Sequence, residues 1–256
     1  MKNLIIQYYI DINLYSQPGF NGISASPVEK YSEYSFKKYC AKFGHDFLRV
    51  TKPTFGYKHP TWERFDLWFN SKWLDQYDQV LYVDTDVFAF DHTPDIFALY
   101  NDLNAFKSPE YRKYRMMTNS QIESTFKNTI LKDCDVYKTR RTFFQSGVWM
   151  LTKKARDVMM PWVERYKEFS GTGPVNIGGK EVDCDDGQFL NWAVIKSGVK
   201  YQDMDKYFNV KNNGLKKDWL YKKTFFLHVA GGKKYFTDSP VHTFLAKTFP
   251  EVNLNV

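Results

Sequence analysis

The stretch Val80-Leu81-Tyr82-Val83-Asp84-Thr85-Asp86-Val87-Phe88 decides how this chain is read. Val80 to Val83 is apolar at every position, as a strand covered on both faces should be. Asp84 and Asp86 follow at once, so two carboxylates stand at the carboxyl end of a buried strand. There they repel each other and lose solvation unless a cation neutralises them. Hard divalent ions such as Mg²⁺ or Mn²⁺ take carboxylate oxygens and bridge to phosphates. A D-x-D turn by itself is equally an ordinary turn in which one Asp caps the next segment. The buried strand in front of it favours the metal reading, because α/β sheets place ligands at the carboxyl ends of their strands.

The rest of the chain supplies such a sheet. Ile5 to Ile10 reads as a buried first strand, and residues 11–25 as a polar, Gly-containing loop. Ser26-Pro27-Val28-Glu29 is a capping box opening a helix to Phe43, with Gly44 placed to end it. Phe47 to Val50 is a short strand. Thr61 can cap a second helix with Trp62, Phe65, Trp68, Phe69 and Trp73 at helical spacing, and Arg64 and Lys72 would share one face of it. Thr93-Pro94 starts a short helix, residues 110–142 form a basic, polar insert, and Phe143 to Leu151 is strand-like. Lys153 to Phe169 is a helix that Pro161 should kink or split. Residues 170–184 read as a Gly-rich loop, Asp185 to Lys196 as a helix ended by Gly198, and Thr224 to Val229 as a last strand. Ser239-Pro240 opens a C-terminal helix. Strands alternating with helices predict one α/β domain over 1–256 with a mainly parallel sheet flanked by helices.

Composition narrows the partners. The chain has 256 residues, 43% hydrophobic and 25% charged, which excludes disorder and collagen-like structure. Aromatic residues reach 18%; most should pack in the core, though aromatic rings also stack on bases and sugars. The net charge of +7 suits an anionic partner, a phosphorylated small molecule, an acidic acceptor or a membrane surface. The basic residues are scattered, so a dedicated nucleic-acid arm is not expected. Cys40, Cys134 and Cys184 form no CxxC or disulfide framework, which points to a reducing compartment. Gln7 and Asp11 cut the first apolar run too early for a signal peptide, and no stretch approaches about 18 apolar residues. A soluble, cytoplasmic protein is expected, and the Lys- and Asn-rich usage suits a bacterial or viral source.

Other residues carry chemistry. His228 stands near the end of the last strand, followed by Gly231, Gly232, Lys233 and Lys234. A neutral imidazole beside two carboxylates completes a site suited to Mn²⁺, the glycines permit close backbone approach, and a Lys can hold a diphosphate as a point charge. A core histidine followed by a Gly turn is the plainer reading of the same residues. Asp185-Asp186-Gly187-Gln188 is a capping box, or a carboxylate aimed at substrate hydroxyls or a reacting anomeric carbon. Gln145-Ser146-Gly147 offers amide and small side chains that can meet a sugar. The chain has no G-x-G-x-x-G, P-loop, H-E-x-x-H or G-x-S-x-G. Nor is its first strand followed by the Gly-rich basic loop of sugar-phosphate nucleotidyltransferases.

In this order the elements resemble a GT-A glycosyltransferase. YVDTDVF at 82–88 resembles the D-x-D strand, and QSGVWML at 145–151 resembles the N-S-G-V-x-L segment. DDGQFLN at 185–191 resembles the D-Q-x-x-L-N helix start, and HVAGGKK at 228–234 resembles the H-x-x-G-x-x-K ending. The likeness is to the retaining family 8 type, which includes glycogenin and lipopolysaccharide galactosyltransferases, with the retaining family 34 type a near second. It implies that Asp84, Asp86 and His228 hold Mn²⁺ or Mg²⁺, with Asp84 and Thr85 also at the donor. It implies that Gly231 and Lys234 meet the diphosphate, that Arg64 corresponds to a donor-binding Arg, and that Gln7 and Tyr8 lie where the base is held. Asp186, with Gln188 and Gln145, would flank the donor sugar. Residues 1–100 would be the nucleotide-binding half, and 101–256 the acceptor-side half that returns the metal-binding His. The reaction implied is transfer from a nucleotide-sugar, UDP-linked, to a glycan, lipid-linked or protein hydroxyl with retention.

The chain departs from the pattern at Gln145, where Asn is usual, at Gly187, where family 8 has Gln, and after strand one, where Thr-Asp is missing. An inverting transferase with Asp186 as base, a nucleotidyltransferase, and a sugar- or nucleic-acid-binding module are the other classes these residues admit.

Overall fold

The computed structural model describes residues 1–10, 28–55, 60–70, 72–110, 144–169, 175–177, 180–182, 186–211, 222–229 and 240–252. At its centre is a six-stranded sheet built from β1 (Asn3–Tyr8), β2 (Asp46–Val50), β3 (Gln79–Val83), β5 (Ala105–Pro109), β6 (Val148–Thr152) and β9 (Lys200–Met204), in the order β2-β1-β3-β6-β5-β9. β1 runs parallel to β2 and β3, and β5 runs parallel to β9. β6 is antiparallel to both of its neighbours, so the sheet is mainly parallel with one reversed strand. A hydrophobic run reads the same in either direction, so the reversal leaves no sign in the hydrophobic pattern.

The unbroken apolar strands feed two faces. Leu4, Ile6, Val80, Tyr82, Trp149 and Leu151 point into one cluster, while Ile5, Leu81, Val83, Val148 and Met150 point into the other. Alternate residues of a strand leave on opposite sides, so a strand buried on both must be apolar throughout. The first cluster is closed by Trp68 of α2 (Asp66–Phe69), by Met159 of α5 (Lys153–Val163) and by Phe189 and Trp192 of α7 (Asp186–Ser197). Phe36 and Tyr39 of α1 (Val28–Phe43) close the second. Many of the aromatics stack here: the Tyr82 and Trp149 ring centroids are 4.9 Å apart, and those of Trp149 and Trp68 5.3 Å. Gly44 and Gly198 end α1 and α7 with φ of 72° and 63°, as expected of residues in the left-handed region.

Several expectations need correcting. The second helix is three pieces: a 3₁₀ turn (Pro60–Phe65), α2, and α3 (Lys72–Gln76). Asn70 turns extended after α2 (φ −98°, ψ 95°). Lys72 therefore begins a new helix, exposed, with its ammonium 4.2 Å over the Trp73 ring, and shares no face with Arg64. The short helix α4 (Ile96–Leu99) is capped by Asp95, whose carboxylate accepts from Phe97 N, and not by Thr93. α5 continues two residues past Pro161 before giving way to α6 (Tyr166–Phe169). Part of the Gly-rich 170–184 segment forms a hairpin, β7 (Val175–Ile177) with β8 (Lys180–Val182). The last strand, β11 (Phe226–His228), lies outside the central sheet. It belongs to a three-stranded sheet in the order β10-β11-β4, with β4 (Val87–Ala89) and β10 (Val210–Lys211). The C-terminal helix α8 (Pro240–Thr248) and α1 cover it, packing Leu245 and Tyr31 against Phe88 and Leu227. Residues 11–25, nearly all of the 110–142 insert, Cys134 and Cys184 lie outside the described residues.

β5 and β9 escaped the sequence reading because Lys107 and Gln202 interrupt them. Lys107 is nonetheless fully buried, and its ammonium donates to Gln79 Oε1 at 2.6 Å. Burial pushes its pKa down to about 8. The unfolded chain, with an ordinary Lys near 10.4, binds more protons between those values, so this group's stabilising share is complete above about pH 10 and is lost as pH falls through about 8. Urea denaturation of wild type and Lys107→Met should show the difference in unfolding free energy moving in favour of wild type by about 1 kcal/mol from pH 7 to pH 9. A difference independent of pH would show that Lys107 keeps an ordinary pKa.

Candidate functional site

The D-x-D turn is pinned by its backbone. Asp84 N donates to Gly147 O at 2.8 Å and Val87 N to Asp84 O at 3.2 Å, while Val229 N donates to Asp86 O at 2.9 Å. Beneath it lies Gln7, whose amide donates to Ser32 Oγ (2.7 Å) and to Asp84 O (3.3 Å); Ser32 Oγ in turn donates to Val87 O. With the main chain held on every side, the two carboxylates have a fixed place from which to project. Asp84, Thr85 and Asp86 are each half-buried.

β11 delivers the third group. It pairs antiparallel with β4, setting His228 opposite Val87 and so beside the turn. His228 Nε2 is 3.3 Å from Asp86 Oδ1 and 3.8 Å from Asp84 Oδ2. One ligand atom from each of Asp84, Asp86 and His228 lies within 4.8 Å of the other two, a set that can hold a metal ion. The chemistry of the three donors fits a divalent ion, and so does their presentation. Asp84 Oδ1 accepts from Arg64 Nη2 (3.1 Å) and from the Tyr82 hydroxyl, which leaves Oδ2 toward the imidazole. His228 Nδ1 is 2.9 Å from Asn209 Oδ1, an acceptor only, so Nδ1 carries the proton and Nε2 faces the carboxylates. A side chain at Gly147 would close the space: a Cβ there would collide with His228 Cε1 and stand 2.7 Å from Asp84 Oδ2.

The electrostatics match this crowding. Burial raises the Asp84 pKa, against the pull of Arg64, and Asp86 adds to the rise. Burial works against a charge on His228, yet the Asp86 and Asp84 carboxylates outweigh it and its pKa rises. Lys211 on β10 is half-buried beside this group; burial lowers its pKa while Asp86 and Asp84 act in the opposite sense.

Arg64 joins this cluster to the second motif. Its guanidinium donates to Thr61 O (2.8 Å), Ser146 O (2.7 Å) and Asp84 Oδ1, lies 3.3 Å from Asp186 Oδ2, and sits 4.6 Å above the Tyr82 ring. Asp186, at the start of α7, is thereby brought to the D-x-D. Asn191 fixes that approach: its amide accepts from Phe144 N and donates to Phe144 O and Gly187 O, clipping the first turn of α7 to the backbone of Phe144, just ahead of Gln145-Ser146-Gly147. Gln145 and Gln188 are half-buried at this junction, and Gln145 Oε1 is buried with no hydrogen-bond partner among the described residues.

The structure thus gathers Asp84, Thr85, Asp86, His228, Arg64, Asp186, Gln145 and Gln188 to one end of the sheet. Gln7 and Tyr8 are interior: Gln7 is fully buried under the turn, and the Tyr8 hydroxyl donates to Asp66 Oδ2 on the other face of β1. Gly231, Lys234 and Asp185 lie outside the described residues. Asn209, the Tyr82 hydroxyl and Lys211 were missed by sequence reasoning, since Tyr82 reads as core and Tyr207-Phe208-Asn209-Val210-Lys211 carries no pattern.

No protein-family model and no curated protein sequence matches the chain. Solved structures match over nearly its whole length. A glycosyltransferase involved in glycosylation of the major capsid of PBCV-1 aligns over 98% of this chain and 100% of its own, at 12% identity and a TM-score of 0.57. The galactosyltransferase LgtC, solved with donor and acceptor sugar analogs, aligns over 99% and 97%, at 17% identity and a TM-score of 0.52. The bifunctional glycosyltransferase WbbM aligns over 96% of this chain and 51% of its own, at 11% identity and a TM-score of 0.56. The fold is that of the GT-A glycosyltransferases, as the four motifs led one to expect.

Mn²⁺ binding, followed by electron paramagnetic resonance of the free ion, should separate the supports of the site. Asn209→Leu is expected to lower affinity about 10- to 100-fold, the usual cost of losing a partner that orients a ligating His. Gly147→Ala, folded by circular dichroism, is expected to abolish binding. Wild-type affinity in both would rule out Asp84-Asp86-His228 as the metal group.

Proposed function

We propose that this chain is a metal-dependent glycosyltransferase, moving a sugar from a UDP-linked donor to a hydroxyl of a glycan, lipid-linked or protein acceptor with retention of configuration. The observation that carries the reading is the convergence of Asp84, Asp86 and His228 at the carboxyl end of β3 in a GT-A fold. A divalent ion bound there, Mn²⁺ or Mg²⁺, supplies positive charge for the departing diphosphate. The chain's own residues do the rest. Asp84 and Asp86 set the position of that charge, and Asn209 aims His228 at it. Gly147 leaves room for the His228 ring and the Asp84 carboxylate to meet at the turn.

Arg64 holds Asp186 beside the turn, where its carboxylate can orient donor-sugar hydroxyls. Gln145, whose buried amide oxygen meets no partner among the described residues, and Gln188 are the polar groups that would complete the sugar's contacts. Retention is favoured over inversion because Asp186, the candidate base for an inverting attack, is already engaged by Arg64 at 3.3 Å. In a retaining reaction the acceptor attacks from the leaving-group face, and the departing phosphate oxygen takes its proton. The +7 charge fits an anionic acceptor or an acidic membrane surface.

Release of nucleoside diphosphate from UDP-, GDP-, CDP- and ADP-sugars, with Mn²⁺ or with chelator, tests this directly. Metal-dependent release from the UDP donors is expected, falling about 10²- to 10³-fold in Asp86→Asn. Folded wild-type protein that releases nothing from any donor, or that instead releases pyrophosphate from nucleoside triphosphates, would contradict the proposal.

A further inference from the structure

We propose that Lys211 is a second, protein-supplied cation of the reaction site, placed to contact the diphosphate of the donor. The inference rests on the glycosyltransferase reading and adds a residue that none of the four sequence motifs contains. Its ground is the small sheet. β10 runs parallel to β11 with Lys211 in register with His228, and residues directly opposite on paired strands project to the same face. Lys211 therefore leaves the sheet on the side from which His228 reaches Asp84 and Asp86. Arg64 approaches the turn from the 3₁₀ segment, whereas Lys211 comes from β10, which lies beyond β11 from β4, so the two cations reach the group from different elements.

The charges agree with that placement. The Lys211 ammonium feels both Asp86 and Asp84, and its own charge opposes protonation of His228, so the groups lie within electrostatic range of one another. A divalent ion offsets Asp84 and Asp86, and Arg64 faces Asp186. With Lys211 added, the assembled site is left with positive charge, the sign required where a diphosphate gathers charge as it departs. Holding a Lys half-buried costs solvation, and a strongly hydrated point charge repays that cost when an anion replaces its water. The competing role for Lys211 is purely structural, neutralising the aspartates when no metal is bound. The two roles differ at saturating metal, where the aspartates are already neutralised.

Calorimetric titration of UDP, inorganic pyrophosphate and uridine, each at saturating Mn²⁺, on wild type, Lys211→Met and Lys211→Arg distinguishes them. Lys211→Met is expected to weaken UDP and pyrophosphate about tenfold or more, with uridine unaffected, Mn²⁺ alone bound as well as or better than by wild type, and most of the loss restored in Lys211→Arg. UDP and pyrophosphate binding unchanged in Lys211→Met would overturn the proposal and leave the structural role. Should Lys211→Met fail to fold, Lys211→Gln gives the same reading. Wild type that binds Mn²⁺-pyrophosphate through Lys211 but does not bind UDP would uphold Lys211 and sink the UDP-donor reading. Wild type that binds neither anion would overturn both.

Discussion

The concentration of negative charge at the end of β3 is the constraint on which the rest of the structure turns. Asp84, Asp86 and Asp186 are brought together where solvent is partly excluded, and each carboxylate withdrawn from water costs several kcal/mol unless something answers it. Arg64 answers two of them at 3.1 and 3.3 Å, and His228 stands at 3.3 Å from the third. What remains is Asp84 Oδ2, the Asp86 carboxylate and an imidazole nitrogen, with one ligand atom of each within 4.8 Å of the others. A turn that served stability alone would gain from removing these charges, so their presence together supports the proposed cation site.

The fold is arranged to keep that charge in register. Two hydrophobic clusters, one on each side of the central sheet, fix β3 against β1 and β6, and their aromatic stacks make the strand a rigid base. β11 lies antiparallel to β4 in a separate sheet, which carries His228 to the turn from the far side. Asn191 ties α7 to the Phe144 backbone and thereby delivers Asp186 from the near side. Three remote stretches of chain converge because each is anchored by backbone or amide hydrogen bonds one or two residues from its functional group.

The legible part of this site was the part with local chemistry that a strand does not need. Two acids after an apolar run, a His near a strand end, and an acid at a helix start all break the pattern around them, and Asp84, Asp86, His228 and Asp186 stood out as candidates that way. Arg64 was found too, yet its geometry ties it first to Asp84 and Asp186, a relation that depends on tertiary contact over 20 and more residues. Asn209 and Lys211 sit on a two-residue strand that leaves no periodic signal, and Tyr82 reads as core because its ring is core while only its hydroxyl reaches Asp84. In the fold, β1 and β3 were plain, whereas Lys107 hid β5 by placing a charge in a buried strand. The reversal of β6 and the breaks around Asn70 are decided by packing, which a hydrophobic pattern does not encode.

The most direct test of the account is anomalous diffraction at the manganese edge from crystals soaked with Mn²⁺ and UDP. The expected result is one strong peak in coordination contact with Asp84, Asp86 and His228 Nε2, with the diphosphate bound to the ion and the Lys211 ammonium at a phosphate oxygen. A peak elsewhere, or UDP bound away from the Asp84-Asp86 turn, would contradict the claim that this crowded charge exists to hold a metal and a departing diphosphate.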